Sequence, residues 1–88
     1  MTGIEETREA LMRSLADWQA AQWRPARDAF AWERRMKRYA ARVGMDADEM
    51  RRDLNKDAVR LLLDQGRDGA AKRVMNRWEF TVEDLMTC

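Results

Sequence analysis

Apolar residues recur at helical spacing along most of the chain. Ile4, Leu11, Leu15 and Trp18 share one face of a first segment, flanked by Met12 and Trp23. Ala29, Trp32, Met36, Tyr39 and Val43 step by three and four through a second. Met50, Leu54, Ala58, Leu61 and Gln65, with Leu62 beside them, do so through a third. This is the period of amphipathic helices. No stretch alternates apolar and polar positions with β-branched residues, so strands are not expected.

Local signals place the boundaries. Thr2 and Glu5 have the spacing of a reciprocal capping box, and so do Asp46 and Glu49. The acidic residues after Asp46 also suit the positive end of a helix dipole. Pro25 cannot continue the first helix but fits the first turn of the next. The second helix then spans about 25–43. Gly44 and Gly66 close the second and third helices, since glycine takes positive φ without steric cost. Beyond them, Asp68 is a candidate cap for a helix from Ala70 to about Trp78. Thr81-Val82-Glu83-Asp84 is a candidate cap for a final turn through Leu85 and Met86. The pattern leaves open whether this end is one bent helix or two short ones. The expected architecture is all-α: about four amphipathic helices in a small orthogonal or up-down bundle, one domain over 1–88. The expected core is Leu11, Leu15, Trp18, Trp32, Met36, Tyr39, Val43, Leu54, Ala58, Leu61 and Val74.

Composition narrows the chemistry. The chain has no histidine, and its one cysteine is the last residue, Cys88. Catalytic Cys–His and Ser–His pairs and His-rich metal sites cannot be built from it. Asp53 and Asp57 share a helical face, but they are interleaved with arginines and read as solvated or salt-bridged. The glycines stand apart, so there is no phosphate-binding loop, and EF-hand spacing is absent. No catalytic residue, metal site or cofactor is expected. No apolar run resembles a signal peptide or is long enough to span a bilayer, which points to the cytoplasm with no membrane contact.

Charge is segregated. The net charge is +1, yet Arg24 to Arg42 holds seven cations against Asp28 and Glu33, whereas the third helix is acidic overall. Arg27, Arg34, Arg38 and Arg42 fall on one face of the second helix, opposite Trp32, Met36 and Val43, with Phe30 at the edge. Such a face is either a solvated exterior with some Arg–carboxylate pairing, or a contact surface. As a contact surface its residues are Arg27, Phe30, Arg34, Arg35, Arg38 and Arg42.

Ala40, Val43, Gly44, Met45 and Met50 have the spacing of a helix-turn-helix. Against that reading, Asp53 stands where an apolar residue is expected. Asp46, Asp48 and Glu49 would also meet phosphates, only partly offset by Arg51 and Arg52.

Trp32, Tyr39, Met45, the Asp46–Glu49 cap, Leu54, Lys56-Asp57, Leu61-Leu62 and Gly66 form an ungapped series. Over Trp32 to about Val74 this series resembles the small, all-helical α subunit of the class-three extradiol ring-cleaving dioxygenases, the protocatechuate-cleaving type. A second glycine of the family's pattern is Arg67 here. In that family the small subunit covers the active site of a large subunit that holds the iron ligands. The resemblance therefore implies an accessory subunit rather than a catalyst.

The sequence thus predicts a non-catalytic protein that docks to a larger protein. The alternatives are a nucleic-acid-binding regulator using the basic second helix and a small inhibitor from a mobile element that masks a partner's surface. Composition is also compatible with a homo-oligomer.

Overall fold

The computed structural model describes residues 6–21 and 26–86, with the side chains of residues 26 and 27 outside that set. The capping box expected at Thr2 and Glu5, together with Ile4, Trp23, Pro25 and Cys88, lies outside the described residues. Among them five helices follow in order: α1 (Arg8–Ala20), α2 (Ala26–Val43), α3 (Ala47–Asp64), α4 (Asp68–Trp78) and α5 (Val82–Met86). Among the described residues there is no strand. The fold is a small all-α bundle.

Each boundary has a local cause. Thr7 caps α1, its Oγ1 accepting from the Ala10 N–H at 3.1 Å. Asp46 caps α3 in the same way, accepting from the Glu49 N–H at 3.1 Å. At the end of α2 the Met45 N–H donates to the Ala40 carbonyl at 2.9 Å, and Gly44 sits at φ 74°. At the end of α3 the Arg67 N–H donates to the Leu62 carbonyl at 2.8 Å, and Gly66 sits at φ 75°. Both ends are Schellman closures, which satisfy carbonyls the helix leaves unpaired.

The C-terminal part is two helices, broken at Glu79. Glu79 takes φ 57°, and the Phe80 N–H donates to the Met75 carbonyl at 2.9 Å. Asp68 is the first residue of α4 and not its cap; Arg67 precedes the helix and makes no side-chain cap bond. Thr81 and Asp84 do form a reciprocal box: the Thr81 N–H donates to Asp84 Oδ2 at 2.8 Å, and the Asp84 N–H donates to Thr81 Oγ1 at 3.2 Å.

Helix α3 touches each of the other four. Its buried side carries Met50, Leu54, Asn55, Ala58, Val59 and Leu62. This arc is rotated from the expected stripe, because α1 and α4 also pack on it, and Leu61 is only half-buried. Leu11, Leu15 and Ala16 of α1, Trp32, Met36 and Ala40 of α2, and Ala70, Ala71 and Val74 of α4 complete the core with Phe80. Trp18 and Tyr39 pack at its margin.

Val43 is a correction: it is 51% exposed. It follows the apolar stripe, but it is the last residue of α2, where the chain turns away at Gly44.

The Trp32 indole N–H donates to the Leu11 carbonyl at 2.9 Å, so this large ring is buried without an unpaired donor. Phe80 stacks on Trp78 with ring centres 6.0 Å apart, and the Arg52 guanidinium lies 4.9 Å from the Phe80 ring centre.

Candidate docking surface

Helix α2 buries one side and has two flanks, each carrying a charged residue that reaches a neighbour. On the α1 flank, Arg35 forks onto Glu6, with Nε to Oε1 at 2.5 Å and Nη2 to Oε2 at 3.0 Å, and also reaches Ser14 Oγ at 3.2 Å. On the α3 flank, Glu33 accepts both arms of Arg51 at 2.6 and 2.8 Å. Arg51 also reaches Asp48 at 2.6 Å. These half-buried forks are the stronger geometry for an Arg–carboxylate pair.

The electrostatics follow the geometry. The Arg35 fork holds the Glu6 carboxyl below its ordinary range, against a smaller opposing effect of burial. Arg51 does the same to Glu33. Both guanidiniums are correspondingly harder to deprotonate.

The six residues expected to form a contact surface therefore separate. Arg35 is engaged with Glu6 and Ser14 inside the molecule and leaves the outer face. Arg42 stays exposed, but its Nη2 donates to the Glu6 carbonyl and its guanidinium lies 5.2 Å from the Tyr39 ring centre. The Arg27 side chain lies outside the described residues. Phe30 (69% exposed), Arg34 and Arg38 remain on the outer ridge. Lys37, four residues from Glu33, joins them there. Arg34, Lys37 and Arg38 form no ion pair among the described residues.

Of the carboxylates singled out in the sequence, Asp57 is salt-bridged. Asp57 bridges Arg8 of α1 and Arg60, the latter at 2.5 Å. Among the described residues no three acidic or cysteine side chains gather as a metal ligand set. Among the described residues no helix is long and apolar enough to cross a membrane.

Two buried polar residues escaped the sequence reading. The Gln19 side-chain amide donates to Asn55 Oδ1 at 2.9 Å, and Asn55 Nδ2 donates to the Arg51 carbonyl at 2.8 Å. Gln19 stands eight and four residues after Leu11 and Leu15, so its burial was readable from the stripe it extends.

No protein-family model, no curated protein and no solved structure matches this chain.

Proposed function

We propose that this chain is a non-catalytic docking protein whose outer α2 ridge binds an acidic surface on a larger protein. Its most concrete form is an accessory small subunit of the ring-cleaving dioxygenase type that the stretch from Trp32 to Val74 resembles. One observation carries the docking reading. The flanks of α2 are tied to α1 and α3, whereas Arg34, Lys37 and Arg38 stand beside an exposed phenylalanine and form no close ion pair among the described residues. Arginine and aromatic side chains together are enriched where proteins meet.

The arrangement disfavours one form of nucleic-acid binding, a helix-turn-helix with α3 in the groove. The helix that would enter a groove, α3, carries Asp48 and Glu49 in its first turn, and the nearest cation, Arg51, is engaged by Glu33 and Asp48. A polyanion gains affinity only from cations free to meet phosphates.

The test uses the intact chain as bait in an extract of its native host, beside the double variant Arg34→Glu/Arg38→Glu. Both sites are exposed, so the variant should remain folded, which its far-ultraviolet dichroism checks. We expect one larger protein to be enriched on the original and lost on the variant. Equal capture by both baits rejects the ridge. Retention of DNA in a gel shift, steeply weakened by salt, replaces the reading with the nucleic-acid one.

A further inference from the structure

The outer face of α2 is a continuous strip. At the helical turn of about 100° per residue, Phe30, Arg34, Lys37, Arg38 and Ala41 fall within about 100° of arc, and all five are exposed. Phe30 and Ala41 lie nearly in line, about 17 Å apart along the axis, with Lys37 to one side and Arg34 and Arg38 to the other. The two edges of the strip differ in charge. Toward α3, Glu33 and Asp48 share Arg51, and the Asp48 side chain is still 88% exposed. Toward α1, Arg35 and Arg42 share Glu6, one through its carboxylate and the other through its carbonyl.

We propose that the acidic surface received by this ridge is an α-helix, laid along α2, with an apolar line of its own beside carboxylates spaced three and four residues apart. The inference rests on the docking reading and specifies the shape and spacing of the partner. Repeat length selects the helix. Side chains on one face of α2 return about every 5.4 Å, and those of a second helix return at the same interval. In an extended segment they return about every 6.6–6.8 Å. Over the three turns from Phe30 to Ala41 an extended segment slips by about 4 Å, as much as the full reach of an ion pair. Pairing with an edge strand is not available to a chain with no strand among its described residues. Size selects the line of contact. The exposed Ala41 admits a partner backbone closely, and Phe30 at the other end supplies a large apolar contact. Charge selects the side. A carboxylate is repelled from the α3 edge and accepted by Arg34 and Arg38, so the acidic stripe leans toward α1.

The isotope-labelled intact chain can be titrated at low ionic strength with a helical peptide that carries glutamates at this spacing beside a line of leucines. The control is its copy with one central alanine replaced by proline, which keeps the charge and breaks the helix. We expect the helical peptide to shift the amide resonances of Phe30, Arg34, Lys37, Arg38 and Ala41 saturably. It should bind about ten-fold more tightly than the proline copy, the scale of three exposed ion pairs held in register. Arg34→Glu/Arg38→Glu should abolish these shifts. Equal binding of both peptides at the ridge rejects the helix and keeps the docking surface. Absence of saturable shifts at the ridge, or shifts that survive the double substitution, rejects the ridge and the helix together.

Discussion

Glu79 occupies a backbone position that glycine fills twice elsewhere in the same molecule. The closures after α2, α3 and α4 share one hydrogen-bond pattern, and the left-handed residue is Gly44, Gly66 and Glu79 in turn. A side chain at that φ costs roughly 1–2 kcal/mol, partly offset because glycine loses more freedom on folding. Glu79→Gly should therefore raise stability by about 0.5–1 kcal/mol, and Gly44→Ala should lower it by about 1 kcal/mol. A Cβ on Gly44 meets nothing within 4 Å, so that loss comes from the backbone alone. Urea midpoints at an unchanged slope measure both, and shifts of the same sign would reject the argument. The same position explains what the sequence could not convey. Gly44 and Gly66 announce their helix ends by residue type. Glu79 does not, and the break between α4 and α5 depends on it.

At the scale of elements, α2 is fastened by two ion pairs that a helical wheel cannot reveal. Arg35 meets Glu6 across 29 positions and Glu33 meets Arg51 across 18, distances in sequence over which spacing carries no information. The period of α2 located Trp32 and Met36 on its buried side and Arg34 and Arg38 on its exposed side, but misplaced Val43. It left Arg35 among the outward cations because its counter-ion comes from another segment. The pairs have a pH signature. Both carboxyls titrate below their ordinary 4.5 when folded. Their contribution is complete above the unfolded value and is lost as pH falls through the lower folded values. With no histidine in the chain, no side chain ordinarily titrates between pH 5 and 8. The urea midpoint should thus be level through neutrality and fall on the acid side. The double variant Glu6→Gln/Glu33→Gln should start lower at neutral pH and fall less steeply. An unchanged acid slope would assign the loss to other carboxylates.

At the scale of the whole molecule, α3 is the shared wall of the other four described helices, an arrangement that predicts cooperative unfolding. Leu54 is fully buried on that wall, among side chains from the neighbouring helices. Its position was legible because the face it marks repeats every three or four residues. The burial of Asn55, Val59 and Phe80 was not, since it depends on how many neighbours α3 acquires. A chain of this length holds roughly 4–13 kcal/mol of net stability. Leu54→Ala removes about 2–5 kcal/mol from it, depending on how far the cavity relaxes. Because each helix leans on α3, that loss should shift the entire unfolding transition and not loosen one helix. Far-ultraviolet dichroism reports all the helices, whereas tryptophan fluorescence reports chiefly the packing of Trp18, Trp32 and Trp78 on α1, α2 and α4. In both the original chain and the variant the two midpoints should coincide, as two-state unfolding requires. A fluorescence transition that precedes the loss of helicity would mean that α3 does not bind the others into one unit. The ridge on α2, which is held in place through its packing on α1 and α3, would then lack a rigid support.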